Sequence, residues 1–311
     1  MPTIKKSVGF TGRGIHSGLP VNMVVKPSNT YGIFFKRVDL DNNLIPARFD
    51  FVCDTKMRNT TIGKNDGAHV KTVEHLMAAL FIAGVDSAII EIDGPETPIL
   101  DGSAVEFYKH IVAAGITSGK LKKIIVRRPV IICAKEVLRE LPMFTRLKIF
   151  FMNLLSHRNM DGFVKLSPSD DNSLNINATL VYREKIIGRQ SFSYTYDGTE
   201  ESIDVFVKNI ARARTFGKYS EWEYLKKHNM ARGADETNVI ALNDNGDGTL
   251  NKLFWKDEFV RHKIIDAIGD MFTSGGFIVG NLESYKGSHA MNNLVLKKLF
   301  SDKNNYDIID E

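Results

Sequence analysis

In each half of the chain, segments with the composition of strands come before segments with the spacing of helices. This order constrains the fold class most. In the first half, β-branched and apolar residues between turn signals predict strands at residues 21–25, 32–37 and 87–92. Helices are predicted at residues 72–84, with Thr72 as the N-cap, and at 103–114. Since helices and strands do not alternate regularly, the order favours an α+β fold built in layers over a series of βαβ units.

The second half repeats this order. Strands are predicted at residues 124–133, 174–182, 186–196 and 277–282, and helices at about 203–211, 256–272 and 290–300. Two domains are therefore expected, residues 1–119 and 124–311, joined by a linker at 120–123. Val73-Glu74-His75 and Val260-Arg261-His262 each lie early in a predicted helix that is followed by an apolar strand. Three positions prove nothing alone, but a gene duplication would give two similar domains that face each other, with a metal ligand from each.

Length and composition fit a soluble globular protein. The 311 residues suffice for two separate cores, and 43% apolar and 25% charged residues are ordinary values. Two cysteines, Cys53 and Cys133, form no disulfide framework and fit a reducing cytoplasm. The N-terminal residues lack the apolar core of a signal peptide, and no run approaches the roughly 18 apolar residues of a membrane span. The net charge of +4 is weak evidence for nucleic-acid binding.

His262 and Asp266 stand four residues apart within the predicted helix 256–272. On a helix this spacing places both side chains on one face, one turn apart. An imidazole and a carboxylate so placed can share one divalent cation. A lone helical histidine is more often structural, and that alternative stays open for His262.

A third ligand is available in Thr-Val-Glu-His at 72–75. His75 would complete a set of three ligands, which leaves one coordination position open, as in catalytic metal sites. The adjacent Glu74 could take the proton of a metal-bound water. The alternative is that Glu74 is a solvated acid of the first helical turn, favoured there by the helix dipole.

Three further residues are candidates for the chemistry. His289 follows Gly-Ser in a turn before the last helix and could donate a proton. Asp270 lies one turn beyond Asp266 and is a candidate partner for His289, or else an exposed acid. Thr215 would present a hydroxyl where the helix around 203–211 ends.

Residues 137–165 stand apart in composition, because 147–155 is dense in apolar and aromatic residues. A core or capping element is one interpretation. The other is an amphipathic insertion that touches a membrane or a partner.

Several motifs together resemble one enzyme family. They are Thr-Gly-Arg-Gly-Ile-His-Ser-Gly (11–18), Thr-Val-Glu-His-Leu-Met-Ala-Ala-Leu (72–80), Asp-Gly-Pro-Glu-Thr-Pro-Ile-Leu-Asp-Gly-Ser-Ala (93–104), Ala-Arg-Thr-Phe-Gly (213–217), residues 257–270 and Ser-His-Ala-Met-Asn-Asn (288–293). In this order, and over nearly the whole chain, they are similar to the UDP-3-O-acyl-N-acetylglucosamine deacetylases, zinc amidases of lipid A biosynthesis. The resemblance implies two similar domains, each a sheet with helices, packed as a β-α-α-β sandwich with the site at their junction.

The same resemblance implies a role for each matching residue. His75, His262 and Asp266 would hold Zn²⁺, with Glu74 as general base. His289 would be the general acid, oriented by Asp270, and Thr215 would help to stabilise the oxyanion. Lys263 and Lys286 would face the nucleotide, and Phe216 would line the substrate cleft. In this family an inserted βαβ element forms a passage for the acyl chain, and we expect it here at 182–192, lined by Ile186, Ile187 and Phe192.

The expected activity is hydrolysis of the 2-acetamido group of UDP-3-O-(3-hydroxyacyl)-N-acetylglucosamine, a small-molecule lipid precursor. We expect a monomer in the cytoplasm, with contact at the inner face of the inner membrane left open. Fe²⁺ could replace zinc, and the enzymic alternative is a non-haem iron oxygenase, since two histidines and a carboxylate also suit iron(II). A nucleic-acid protein using the basic run 120–128 is the other alternative, although that run lacks interleaved aromatic residues.

Overall fold

The computed structural model describes residues 1–41, 43–55, 58–64, 67–139, 161–227 and 231–310. Within these residues lie two large mixed sheets, two small sheets and seven α-helices, so the predicted α+β class is confirmed.

The strands of the first large sheet are β1 (Val8–Arg13), β2 (Pro20–Pro27), β3 (Gly32–Arg37), β4 (Asn43–Pro46) and β8 (Ser87–Ile92). Their order in the sheet is β1-β2-β8-β3-β4, in which only β3 and β8 run parallel. Alternate residues of β2 and β3 are buried, as expected for strands with one face on a core.

The second large sheet is built around a nine-residue strand, β16 (Phe277–Tyr285). Its other strands are β9 (Lys122–Val126), β10 (Val130–Cys133), β11 (Phe163–Ser167), β12 (Leu174–Val181), β13 (Arg189–Tyr196) and β17 (Tyr306–Asp310). β16 pairs with β12 along one edge and with β9 and then β11 along the other. Since β9 begins at Lys122, part of the predicted linker 120–123 belongs to this sheet; the division into two domains stays a prediction.

Two helices lie between the sheets. All nine residues of α1 (Glu74–Ile82) are buried, so this helix is covered on every face. α6 (Glu258–Phe272) packs against α1 on one side and against β12, β13 and β16 on the other. The resulting order of sheet, helix, helix and sheet brings the start of α1 against the middle of α6.

The remaining helices and small sheets complete the fold. The helices are α2 (Val105–Ala113), α3 (Ala134–Arg139), α4 (Glu200–Asn209), α5 (Tyr219–Lys227) and α7 (His289–Phe300). One small sheet joins β5 (Val52–Asp54), β6 (Thr61–Gly63) and β7 (His69–Val70), and the other joins β14 (Phe216–Lys218) to β15 (Ile240–Leu242). Two 3₁₀ turns lie at Phe49–Phe51 and Lys303–Asn305.

Two local predictions were wrong. Thr72 is not the N-cap of α1, because its φ is positive at 59° and its hydroxyl donates to Glu96 Oε1 at 2.9 Å. Residues 186–188 form a turn rather than the start of a strand, and β13 begins at Arg189.

The apolar stretch 147–155 lies outside the described residues, as does most of the segment 137–165. Among the helices that the structure describes, none combines the length and the apolar character needed to cross a membrane.

Candidate active site

His75, His262 and Asp266 meet where α1 crosses α6. One ligand atom from each residue lies within 4.8 Å of the others, and all three residues are buried. The Oδ1 atom of Asp266 is 3.6 Å from His75 Nε2 and 3.4 Å from His262 Nε2. The i, i+4 spacing on α6 and the start of α1 therefore supply two imidazoles and one carboxylate to a single point. Such a donor set suits one divalent cation with an open position.

Gly269 lets the two helices approach closely enough for this meeting. A Cβ atom at Gly269 would overlap the backbone carbonyl oxygen of Glu74, and backbone atoms cannot move aside as a flexible side chain can. The missing side chain of a single glycine on α6 thus sets the distance between Glu74-His75 and the ligands on α6.

We expect Gly269→Ala to lower both stability and metal affinity. The added methyl group must push α1 away from α6, and overpacking of this kind costs about 1–3 kcal/mol. Thermal unfolding and metal titration would measure the two effects. Gly9→Ala is the matched control, because a Cβ atom at Gly9 meets nothing within 4 Å. Equal stability and metal affinity in the two variants would contradict this account of the crossing.

Hydrogen bonds orient the ligands on α6. The Nδ1–H of His262 donates to the Ala213 carbonyl at 3.0 Å, which leaves Nε2 free to face Asp266. The Nζ of Lys263 binds Asp266 Oδ2 at 2.7 Å, so Oδ1 is the oxygen that faces the two histidines. His262 therefore presents Nε2 and Asp266 presents Oδ1 to the candidate metal position.

The charge states also fit a cation site. Burial, which disfavours a charged imidazole, lowers the pKa of His262 to about 3. Burial also opposes charge on Asp266, but the Lys263 ammonium holds the pKa of that carboxyl well below its usual range. Neutral imidazole and ionised carboxylate are the forms that coordinate metals.

Glu74 places a carboxylate beside the three ligands. The residue is 3% exposed, and its Oε2 accepts the backbone N–H of Thr60 at 3.0 Å. Burial raises the pKa of Glu74, which makes the carboxylate a better proton acceptor than an exposed one. The alternative of a solvated acid in the first helical turn is thereby wrong.

His289 adjoins the group from the first position of α7. The hydroxyl of Ser288 caps this helix by accepting the Met291 N–H. The Nδ1–H of His289 donates to Asp270 Oδ2 at 2.8 Å, while its Nε2 is 3.8 Å from Asp266 Oδ2. The structure thus brings His289 and Asp270 together, and the alternative that Asp270 is an exposed acid is wrong. Burial disfavours the charged ring, but the Asp270 carboxylate, together with Asp266 and Glu74, raises the pKa of His289 to about 9.

Of the other predicted residues, Phe216 and Lys263 adjoin the histidines. The Phe216 ring meets the His262 ring edge-on, with the ring centres 6.3 Å apart, and Lys263 Nζ lies 5.8 Å from the Phe216 ring centre.

Thr215 is half-buried just before β14, and its backbone N–H donates to the Gly102 carbonyl. Lys286 has a positive φ of 51° and binds Asp161 Oδ1 at 2.6 Å.

The predicted position of the βαβ element was wrong. Residues 182–188 join β12 to β13 in an antiparallel hairpin and 189–192 belong to β13, whereas a βαβ unit requires parallel strands. Ile187 is 3% exposed in the main core, Ile186 packs against that core, and Phe192 lies under the Arg261 guanidinium at 4.3 Å. The parallel pair β14 and β15, with α5 between them in the chain, forms a small βαβ unit at residues 216–242.

Two site residues were missed from the sequence. Asn292 donates to Asp270 Oδ2 at 2.8 Å, and its place three residues after His289 on a helix was a usable signal. Thr60 contacts both Glu74 and Asp270, and no spacing in the sequence indicates this.

Comparisons with known proteins point to one enzyme family. Residues 1–301 match the family model described as LpxC: UDP-3-O-acyl N-acetylglycosamine deacetylase. A UDP-3-O-acyl-N-acetylglucosamine deacetylase of Nitratiruptor sp. is 36% identical over 99% of this chain and 93% of its own length. The deacetylases of Aliarcobacter butzleri and Myxococcus xanthus are 38% and 35% identical over 99% of this chain, covering 92% and 88% of their lengths. The chain therefore belongs to the UDP-3-O-acyl-N-acetylglucosamine deacetylase family.

Proposed function

We propose that this chain hydrolyses the 2-acetamido group of UDP-3-O-(3-hydroxyacyl)-N-acetylglucosamine, releasing acetate and the free amine, in lipid A biosynthesis. The observation that carries the proposal is the buried group of His75, His262 and Asp266 with Glu74 and His289 beside it. Family membership supplies the substrate class.

The ion that we propose is zinc, held by these three residues with one position open to water or substrate. A bound zinc ion supplies Lewis-acid polarisation of the amide carbonyl and a water of lowered pKa. Iron(II) suits the same donors, and reconstitution with each ion separately decides between them. The oxygenase alternative loses its support, because the family is one of deacetylases.

The chain's own residues would divide the proton transfers between them. Glu74 takes a proton from the attacking water, for which its buried and raised-pKa carboxylate is suited. His289 gives its proton to the amine nitrogen as the C–N bond breaks, because an amine anion is too basic to leave alone. Thr215 would donate a hydrogen bond to the oxyanion of the tetrahedral intermediate. Water is consumed, and acetate and amine leave.

The proposed substrate contacts use the position of the βαβ unit that the structure gives. We propose that the βαβ unit at 216–242 flanks the acyl chain, with Phe216 at the entrance next to His262. Lys263 and Lys286 are the proposed nucleotide contacts, although each ammonium is already paired with a carboxylate. Binding of the diphosphate would then compete with those ion pairs. We propose a cytoplasmic location, to which two free, exposed cysteines are suited.

The test is release of acetate from the acylated UDP-sugar, compared with UDP-N-acetylglucosamine that lacks the acyl chain. We expect rapid release from the acylated substrate and much slower release from the other. An absence of acetate release from both substrates by metal-loaded protein would refute the proposal.

The pair of Asp270 and His289 gives a prediction about pH. The Asp270 carboxylate favours the imidazolium, so Asp270→Asn should lower the pKa of His289, by roughly 1–3 units for loss of one close opposite charge. Activity that needs protonated His289 is lost as pH rises through that pKa, so the alkaline limb of kcat/KM should move to lower pH. A bound cation repels the imidazolium, which puts the wild-type limb below pH 9.

A pH–rate profile of Asp270→Asn beside the wild type measures this shift. Asp204→Asn, on the exposed face of α4, is the control and should leave the limb in place. An unmoved limb in Asp270→Asn would remove His289 from the role of general acid.

A further inference from the structure

Thr60 is fixed by its backbone to the start of α1. The residue is 2% exposed and precedes β6. Its N–H donates to Glu74 Oε2 at 3.0 Å, and its carbonyl accepts the N–H of Val73 at 3.3 Å. The position of Thr60 and the position of the Glu74 carboxylate are thereby linked.

The side chain of Thr60 reaches the other half of the site. Its hydroxyl donates to Asp270 Oδ1 at 2.5 Å and lies 3.4 Å from His289 Nδ1. The other oxygen of Asp270 accepts from His289 Nδ1–H and from the Asn292 amide, each at 2.8 Å. With donors on both of its oxygens, the Asp270 carboxylate has one orientation, and that orientation directs the His289 ring.

A second set of buried hydrogen bonds holds the segment that carries Thr60. The Asn59 amide donates to the Thr72 hydroxyl at 2.8 Å, and that hydroxyl donates to Glu96 Oε1 at 2.9 Å. Asn59, Thr72 and Glu96 are each 4% exposed or less. Buried hydrogen bonds of this kind resist movement, because each broken bond would leave a further polar group unpaired.

We infer that Thr60 is a positioning residue that fixes the proton acceptor Glu74 and the proton donor His289 relative to each other. Its backbone holds the first and its hydroxyl holds the second through Asp270. The inference rests on the proposed function for the roles of Glu74 and His289, but the contacts themselves are independent of it.

Thr60→Val tests the inference, since it keeps the shape and the backbone N–H and removes only the hydroxyl. We expect kcat to fall by roughly tenfold to a hundredfold, the size expected for a hydrogen bond to a charged group, with KM nearly unchanged. Thr60→Ser keeps the hydroxyl and should restore kcat to within a few-fold. Thr61→Val is the matched control: Thr61 is adjacent and 3% exposed, and within the described part of the chain its hydroxyl contacts neither Glu74 nor Asp270.

A double-mutant cycle in kcat distinguishes a positioning role of Thr60 from an effect on stability alone. In an Asp270→Ala background, Thr60→Val should have little further effect on kcat, because the carboxylate that links the Thr60 hydroxyl to His289 is already absent. Equal and additive losses in both backgrounds, or equal activity of Thr60→Val and Thr61→Val, would overturn the inference. Should Thr60→Val fail to fold, Thr60→Cys keeps a side chain of similar size with a weaker donor and should give an intermediate kcat.

A spectroscopic readout keeps this test apart from the proposed function. The imidazole ¹⁵N and Nδ1–H signals of His289 should shift in Thr60→Val and stay in place in Thr61→Val. If the wild type lacks deacetylase activity while this shift occurs, the proposed function fails and the positioning role stands. If deacetylation proceeds and the His289 signals of Thr60→Val match those of the wild type, the positioning role fails alone.

Discussion

His262→Ala is expected to abolish deacetylation through loss of the metal. The imidazole is 2% exposed and is oriented by the Ala213 carbonyl, so the substitution removes one of the three preoriented donors. Loss of an outer partner of a metal ligand already costs about 10–100-fold in affinity, and loss of the ligand itself should cost more. Metal content after dialysis, measured by elemental analysis, and acetate release should fall together.

His110→Ala is the control for this variant, because His110 is an exposed histidine on α2. It should keep one metal ion per chain and full activity. Circular dichroism of both variants shows whether the fold is kept. A folded His262→Ala protein with wild-type metal content would remove His262 from the ligand set.

Glu74→Gln is expected to lower kcat by roughly 10²–10⁴-fold, the contribution of a positioned acid or base. Glutamine has the same shape and can still accept the Thr60 N–H, but it cannot take a proton from water. Metal content and KM should therefore stay close to those of the wild type. Steady-state kinetics and metal analysis measure both.

The matched control is Glu106→Gln, because Glu106 occupies the first turn of α2 as Glu74 does of α1, but it is not buried. It should be fully active. Near-normal turnover by Glu74→Gln would show that the proton is taken elsewhere and would leave Glu74 a purely structural role.

The local part of the site could be predicted from the sequence. Helical periodicity alone puts His262, Asp266 and Asp270 on successive turns of one face, and α6 has that geometry. The early placement of Glu74 and His75 in a helix was also visible. These predictions concern residues within a single helix, whose relative positions follow from their spacing in the sequence.

The parts that span the chain could not be predicted in this way. Thr60 and Asp270 are separated by 210 positions, so only the packing of α1 on α6 brings them together. Threonine is a common N-cap residue, which is why Thr72 was predicted to cap α1. The buried Glu96 carboxylate needs hydrogen-bond donors, however, and the Thr72 hydroxyl donates to it instead. The βαβ unit was misplaced because the apolar residues Ile186, Ile187 and Phe192 serve the core, and composition does not distinguish a core lining from a passage lining.

The measurement that tests the central claim most directly is metal-dependent release of acetate from the acylated UDP-sugar. A chelator should abolish the release, and one equivalent of zinc per chain should restore it in the wild type but not in His262→Ala. Undiminished release from protein shown by elemental analysis to be free of metal would contradict the account.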